Sequence, residues 1–294
     1  MSQTIKKSSG EPRKIKEAPK EDKTKRYTYP EYSHEMCVKL AAISAAAYRT
    51  KKAFVHQLRA LNMPDHKFKL ISKDNAQAYI IWKEVAKTAS KTTTKKARSE
   101  IIIAWRGTEP GEYKDVMADL KFRKKTSKYG GNVHRGFKGY VDKIYDEVEK
   151  EVLSIIDGKW FNIYVTGHSL GGASAVLCTN RLEEKFHVRG CYTYGAPRPG
   201  GWKYALSFKS NVYRIRNNND LVTKVPPAIF GYKHVGKLCY IDRKGVLRTG
   251  RVSTAVLFKN WIWGQLERLG DGLRDHSMGE YFTKLKYAKR DHKD

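Results

Sequence analysis

The sequence predicts an α/β fold in which helices flank a central, mostly parallel β-sheet. Short apolar runs rich in isoleucine and valine, typical of strands buried on both faces, recur through the middle of the chain. They alternate with stretches in which apolar residues repeat at helical spacing. This alternation is the pattern of strand–helix–strand units, whose strands run parallel. We therefore predict one domain of this class over residues 31–290.

Each predicted element rests on a local pattern of apolar residues and helix breakers. The predicted helices lie at 35–62, 141–156 and 171–185. Pro64 and the pair Asp157-Gly158 end the first two. The predicted strands lie at 76–85, 100–107, 159–167, 190–196 and 211–217, and a hairpin covers 237–248. Residues 87–99 read as a polar hairpin loop, and residues 109–133 hold at most a short helix around 113–122.

Positive charge dominates the chain, with 58 Lys and Arg against 30 Asp and Glu, a net charge of +28. A surface of this sign attracts anionic partners such as acidic lipid, nucleic acid or an acidic protein. Most lysines are scattered and are not interleaved with stacking aromatics, so an ordinary solvated surface explains the charge equally well. The segment 1–30, with nine Lys and Arg against four Asp and Glu, is expected to be a disordered basic tail.

The cysteines and the N-terminal segment bear on the compartment. Neither C-x-x-C pairs nor metal-type spacings occur among the four cysteines, so we expect reduced, buried thiols and no metal or other cofactor. Residues 1–26 lack the apolar core of a secretory signal, and no run approaches the roughly 18 apolar residues of a membrane span. We expect a cytoplasmic protein, with peripheral membrane contact as an option, and leave the oligomeric state open.

The segment IYVTGHSLGGASAVL at 163–177 carries the strongest chemical signal. It contains the pattern G-x-S-x-G at the end of a predicted buried strand and the start of a predicted helix. In that context Ser169 occupies the tight turn of a nucleophile elbow. Gly167 and Gly171 leave room for neighbouring backbone, and the helix N-terminus directs the Leu170 amide at an oxyanion formed beside the serine.

A serine hydroxyl needs a base, and the base needs an acid that orients it. Asp220 follows a predicted strand and precedes a Pro-Pro turn, which is where the acid is expected after an elbow serine. His276, on a loop before the last predicted helix, is the preferred base over His234 and His292. His168 is adjacent to Ser169 and cannot point the same way. Thr108, after an early central strand, is the candidate for the second oxyanion donor.

Seven ordered motifs resemble the class 3 lipases, the group of the filamentous-fungal triacylglycerol lipases. They are WRGTE, VHRGF, VTGHSLGGA, YGAPRPG, NNNDLVTKVPP, YKHVG and DHSMGEY, spread over residues 70–282. The resemblance implies an α/β-hydrolase fold and a metal-free lipase or phospholipase A1-like esterase. It implies the same triad of Ser169, Asp220 and His276, with Thr108 at the oxyanion position, and we take His134 of the VHRGF motif as structural.

The resemblance also places a short mobile lid between the WRGTE and VHRGF motifs, at 109–133. Five basic residues lie between 121 and 128, whereas fungal lid helices are more apolar, and this favours anionic or phospholipid interfaces over neutral fat. The apolar run 253–266 either lines an acyl pocket or forms an ordinary core helix. Two functional hypotheses follow: a hydrolase of acylglycerol or phospholipid esters, or a lipase scaffold that binds anionic membrane or nucleic acid with little turnover.

Overall fold

A computed structural model describes residues 31–84, 99–109, 122–249, 252–253 and 274–290, and the short segments 4–6 and 12–14. The strands are β1 (Thr4–Lys6), β2 (Pro12–Lys14), β3 (Lys67–Lys73), β4 (Ala76–Lys83), β5 (Glu100–Trp105), β6 (Lys124–Thr126), β7 (Asn132–His134), β8 (Asn162–His168), β9 (Val188–Tyr194), β10 (Gly200–Gly201), β11 (Val212–Asn217), β12 (Tyr232–Lys233), β13 (Lys237–Ile241), β14 (Val246–Arg248) and β15 (Lys289–Arg290). The helices are α1 (His34–Ala46), α2 (Lys51–Ala60), α3 (Arg135–Asp142), α4 (Tyr145–Ile156), α5 (Leu170–Leu182), α6 (Trp202–Ala205) and α7 (Met278–Lys286).

The large sheet has the strand order β15-β14-β13-β11-β9-β8-β5-β4-β3. Its centre is parallel, because β5, β8, β9, β11 and β13 pair in the same direction. Antiparallel neighbours, β4 with β3 on one side and β14 on the other, extend both edges. The predicted parallel sheet is therefore confirmed, and the carboxyl ends of its central strands meet at one edge.

Two apolar layers cover the faces of this sheet. On one face α3, α4 and α5 contribute residues such as Val141, Val148 and Ala173 to a buried cluster. On the other face α1, α2 and α7 pack residues such as Leu40, Phe54 and Tyr281. Strands buried on both faces need apolar residues at successive positions, which explains the unbroken run from Ile101 to Trp105.

Two predicted helices are each divided in the structure. The helix expected at 35–62 breaks at residues 47–50, where Thr50 accepts a hydrogen bond from the Ala53 amide and starts α2 as its N-cap. The helix expected at 141–156 is divided after Asp142, where α3 ends, and continues as α4 from Tyr145. The imidazole of His134 accepts from the Phe137 amide at 3.3 Å and so begins α3, a structural role for that histidine.

Strands β3, β6 and β7 were not predicted from the sequence. In β3 only Ile71 is buried, because this strand lies at the edge of the large sheet and alternates lysine with apolar residues. Strands β6 and β7 have three residues each and belong to a separate small sheet. Their formation depends on pairing with distant segments, which local periodicity does not report.

Several predicted segments fall outside the described residues. They are the loop at 87–98, the lid residues 110–121 with most of the short helix at 113–122, and the run 254–266. Of the tail 1–30, only β1 and β2 are described, as an antiparallel pair. In the described part of the chain, no helix is long and apolar enough to cross a membrane. The four cysteines are all described, and each is buried with a free thiol, as predicted.

Candidate active site

Ser169 lies in the tight turn between β8 and α5, at the carboxyl edge of the large sheet. Its backbone has φ 57° and ψ −128°, a conformation that side-chain-bearing residues rarely adopt. The Ser169 amide donates to the Tyr194 carbonyl at 2.9 Å, which anchors the turn to the neighbouring strand β9. The hydroxyl does not cap α5, so it is not consumed by the helix that it precedes. The predicted strand–turn–helix context of the serine is confirmed.

Close backbone approach explains the glycines around this serine. A Cβ atom on Gly171 would lie 2.3 Å from the Trp105 carbonyl oxygen, and one on Gly167 would lie 2.3 Å from the Gly171 oxygen. Both distances are far below van der Waals contact with rigid backbone. The elbow therefore requires glycine at these positions so that β8, α5 and the end of β5 can meet.

Asp220 and His276 form a fully buried pair beside the elbow. Asp220 follows β11 and His276 precedes α7, and each is 0% exposed. The Nδ1 atom of His276 donates to the Asp220 carboxylate, at 2.9 Å from Oδ2 and 3.1 Å from Oδ1. With the proton on Nδ1, the lone pair of the neutral imidazole lies on Nε2, as a general base requires. A Cβ on Gly195, just after β9, would collide with both side chains.

Two further donors hold the Asp220 carboxylate. The Tyr281 hydroxyl, one and a half turns after His276 on α7, donates to Oδ2 at 2.6 Å, and the Val222 amide donates to Oδ1 at 2.9 Å. Tyr281 also accepts from the Asn217 amide at 2.9 Å. The carboxylate is thus fixed in one orientation by groups from two elements. Sequence reasoning missed Tyr281, although its place in the first turns of the helix after His276 was a usable signal.

His168 holds the backbone of His276. Its Nε2 donates to the His276 carbonyl at 2.7 Å, so its Nδ1 accepts from the Tyr48 hydroxyl at 3.0 Å. Burial, with His276 close by, holds the pKa of His168 well below 6.5, so the ring is neutral and keeps this pattern. The two imidazole rings lie 4.6 Å apart. His168 points away from Ser169, as its position in the strand predicted.

Asp275 joins the loop that carries His276 to the loop that carries Asp220. It accepts from the Asn218 side chain at 2.9 Å and from the Asn219 amide at 3.1 Å, and its own carbonyl accepts from Asn217 at 2.8 Å. Burial raises the pKa of Asp275 above its usual value of 3.8. The three asparagines before Asp220 thus hold Asp275, the residue before His276, close to the loop of Asp220. This role of the three asparagines was not predicted.

The two predicted oxyanion donors flank the elbow. Leu170 is the first residue of α5, where the helix offers no acceptor for the amide. Thr108 is half-buried just after β5, and the preceding Gly107 packs so closely on the elbow that its Cβ would lie 2.6 Å from the His168 carbonyl oxygen and 3.3 Å from the Gly171 nitrogen. The structure therefore brings both segments to the same place beside Ser169.

The remaining candidates take structural positions or lie elsewhere. His234 donates from Nε2 to the Thr223 carbonyl at 2.9 Å, which supports the loop behind Asp220. His292 lies outside the described residues. No group of three or more His, Cys, Asp or Glu arranged to hold a metal occurs among the described residues. The described part of the lid interval includes Phe122, whose ring lies 5.4 Å from that of Phe230.

Comparison with known proteins shows which proteins this chain resembles. The model of the family "Lipase (class 3)" matches residues 102–230, which include Thr108, Ser169, Leu170 and Asp220. A secreted mono- and diacylglycerol lipase of Fusarium solani is 30% identical over 155 residues, 51% of this chain and 46% of that protein. A lipase of Rhizomucor miehei is 33% identical over 156 residues, 48% of this chain and 41% of that protein. The chain thus spans less than half the length of these curated relatives.

A solved triacylglycerol lipase shows the same architecture. Its structure, described as having a serine protease triad as catalytic centre, is similar with a TM-score of 0.62 and 25% identity, over 82% of this chain and 91% of that one. The expected α/β-hydrolase fold is confirmed by this likeness and by the parallel sheet. The family model covers less than half of the chain, and over residues 102–230 the chain is similar to the class 3 lipases.

Proposed function

We propose that this protein is a serine carboxylester hydrolase that acts on lipid esters through Ser169, His276 and Asp220. The observation that carries the proposal is the buried His276–Asp220 pair, held at the carboxyl edge of the sheet beside a strained serine. Strain of this kind costs about 1–3 kcal/mol and persists at functional sites. The lipase relatives and the serine protease triad described for the solved triacylglycerol lipase support the same assignment.

The proposed reaction proceeds in two halves through an acyl-enzyme. Nε2 of His276 takes the hydroxyl proton as Ser169 Oγ attacks the ester carbonyl carbon, and the amides of Leu170 and Thr108 stabilise the oxyanion. The C–O bond to the alcohol breaks, and the alcohol leaves with the proton from His276. Water then attacks the acyl-enzyme and gives a proton to His276, which returns it to Ser169 as the fatty acid departs. Asp220 fixes the tautomer and stabilises the imidazolium throughout.

Hydrolysis of a lipid panel by matched variants tests this proposal. Wild type is expected to release fatty acid from diacylglycerol or phospholipid, and Ser169→Ala to lose at least 10³-fold in kcat. Asp220→Asn is expected to lose a similar factor, because it stabilises the wrong tautomer of His276. Equal fatty-acid release by wild type and Ser169→Ala overturns the proposal.

An exposed surface of the chain supports a preference for anionic or phospholipid interfaces. An exposed apolar patch consists of Phe122, Ile229 and Phe230, which are 39%, 89% and 54% exposed. Lysine side chains border it: Lys124 donates to the Phe230 carbonyl at 2.6 Å, and Lys125 and Lys233 are exposed. Apolar side chains ringed by lysine fit a lipid surface with acidic headgroups, where each cation contributes about 1 kcal/mol. Membrane contact through this apolar patch, including its described lid residue, is part of the proposal.

Vesicle sedimentation tests the membrane contact. The chain is expected to bind vesicles containing phosphatidylglycerol more tightly than pure phosphatidylcholine, and more weakly as salt rises. The double variant Ile229→Ser, Phe230→Ser should lose at least tenfold in affinity. Trp160→Ser is the control, because Trp160 is 54% exposed just before β8, at the opposite edge of the sheet. Equal losses in both variants contradict the assignment of the patch.

The lipid panel and the vesicle assay, together with a salt titration of binding to duplex DNA, decide the alternative of a binding protein with little turnover. Affinity for vesicles or duplex DNA without hydrolysis of any lipid in the panel favours it. Nucleic-acid affinity that falls steeply with salt identifies the second anionic partner. The buried His276–Asp220 pair beside the elbow of Ser169 supports the hydrolase.

A further inference from the structure

Four cationic side chains cluster on the sheet face opposite Tyr213 and Ile215. Arg214 and Arg216 are two residues apart on β11, so they project from the same face, while the residues between them enter the core on the other side. Arg198, from the loop after β9, and Lys224, from the loop after Asp220, complete this cationic cluster. All four are half-buried.

The loops that bring the last two cations together are tied by hydrogen bonds. Nη1 of Arg198 donates to the Lys224 carbonyl and, at 2.9 Å, to the Pro226 carbonyl. The acceptors in these contacts are backbone carbonyl oxygens, which carry no formal charge. They fix the geometry of the cluster without neutralising it.

The pKa values of the cluster show that its members repel each other. Burial lowers the pKa of Arg214 to about 10, and the charges of Arg216 and Arg198 add to this effect. Burial and the charge of Arg216 also lower the pKa values of Arg198 and Lys224. Arg216 is therefore the neighbour common to the other three. Asp220 favours the charged form of Lys224, but its oxygens already accept from His276, Tyr281 and Val222.

Within the described part of the chain, no carboxylate pairs with the cluster. None of its four members takes part in an ion pair there, and the Nε atoms of Arg214 and Arg216 are buried without an acceptor there. The side chains next to the two arginines in register are Thr193 on β9 and Leu238 and Tyr240 on β13. Tyr240 offers only its ring to Arg216, at 5.7 Å. Buried charges normally have a partner of opposite sign, because an unpaired one loses its hydration.

We propose that the cationic cluster of Arg198, Arg214, Arg216 and Lys224 is a binding site for a phosphate group. The planar forks of the arginines match the oxygens of a phosphate in bidentate fashion, and Lys224 adds a point charge. Inorganic phosphate and the phosphate of a lipid headgroup share this chemistry. None of the four cations belongs to the proposed triad, so phosphate binding is expected to leave the chemistry at Ser169 unchanged.

Thermal unfolding of the full chain in phosphate-free buffer tests the proposal. A ligand that binds only the folded state raises Tm with its concentration. Inorganic phosphate should raise the Tm of wild type and of Ser169→Ala in a saturable manner. The double variant R214Q/R216Q should lose at least tenfold in apparent affinity. The control R49Q/R59Q removes the same charge from exposed positions and should keep the wild-type response.

Vesicle binding distinguishes the two sources of phosphate. If R214Q/R216Q also loses more affinity for phosphatidate vesicles than R49Q/R59Q does, lipid headgroups reach the site; otherwise the ligand is a small free phosphate. Lys224→Met, which leaves β11 unchanged, repeats the test should the double variant fail to fold. No saturable Tm shift in wild type, or equal shifts in R49Q/R59Q and in the cluster variants, overturns the proposal.

Discussion

The backbone of Ser169 is strained. At φ 57° and ψ −128° a side chain is disfavoured, whereas glycine accepts positive φ readily. Ser169→Gly is therefore expected to raise the free energy of unfolding by about 1 kcal/mol relative to Ser169→Ala, while both variants lose activity. Chemical denaturation of the two variants measures the difference. A Ser169→Gly variant that is no more stable than Ser169→Ala contradicts the strain.

The Tyr281 hydroxyl is the strongest single support of Asp220. Tyr281→Phe removes a donor from a buried carboxylate and an acceptor from the Asn217 amide. We expect a stability loss of about 2 kcal/mol. We also expect kcat to fall about tenfold with little change in KM, because Asp220 then orients the imidazole of His276 less well. Tyr287→Phe, at the exposed C-cap of the same helix, should change neither the stability nor kcat. A wild-type kcat for Tyr281→Phe refutes this positioning role.

The residues proposed to react were easier to predict from the sequence than the residues that support them. Ser169, Asp220 and His276 stand at places that strand–turn–helix chemistry demands, so order and context identified them as candidates. Tyr281, Asp275 and the His168–Tyr48 contact act through distances between remote segments, which only the fold creates. Their roles were therefore invisible to motif reasoning.

The elbow also depends on close packing between helix α5 and the end of strand β5. Helix α5 crosses the end of β5 so closely that Gly171→Ala would place Cβ 2.3 Å from the Trp105 carbonyl oxygen. We expect it to cost about 3 kcal/mol or more, since backbone on both sides resists movement. Gly139→Ala in α3 meets nothing within 4 Å and should instead gain about 0.5–1 kcal/mol from helix propensity. Thermal unfolding of both variants checks the opposite signs, and two losses would contradict the account.

Element prediction succeeded where burial is strongest. Strand β5 is an apolar run buried on both faces, and β8 has no exposed residue, whereas β11 alternates apolar residues with Arg214 and Arg216. The edge strand β3 carries alternating lysines and was not predicted, and the breaks between α1 and α2 and between α3 and α4 are set by caps and by tertiary packing. Local periodicity predicts elements that are buried, but it does not predict elements that depend on pairing with a distant segment.

Across the whole molecule, buried histidines predict how stability depends on pH. Burial holds the pKa values of His168 and His234 well below 6.5. In the unfolded chain each takes up a proton near pH 6.5, so their contribution to stability is complete above that pH and is lost as pH falls below it. Within this window each of the two histidines lowers the free energy of unfolding by about 1.4 kcal/mol per pH unit as the pH falls. The raised pKa of Asp275 acts with the opposite sign: its contribution is present below pH 3.8 and is lost as pH rises through its folded value.

Urea unfolding of wild type and His234→Gln between pH 5 and 8, in phosphate-free buffer, isolates one histidine. Glutamine keeps a donor for the Thr223 carbonyl but does not titrate. Between pH 5 and 6.5 the free energy of unfolding of the variant should rise less steeply with pH than that of wild type. The difference corresponds to about one fewer proton taken up on unfolding. Parallel stability curves for the two proteins would show that His234 is not held neutral by burial.

Covalent labelling decides whether Ser169 is the nucleophile of the proposed ester hydrolase. Diethyl p-nitrophenyl phosphate phosphorylates an activated serine and releases p-nitrophenolate. Intact-mass and peptide analysis should show one diethylphosphoryl group per chain, on the peptide that carries Ser169, with a stoichiometric burst of p-nitrophenolate. His276→Ala should abolish the labelling, because the serine then lacks its base. A label on another residue, or equal labelling of Ser169→Ala and wild type, would contradict the account.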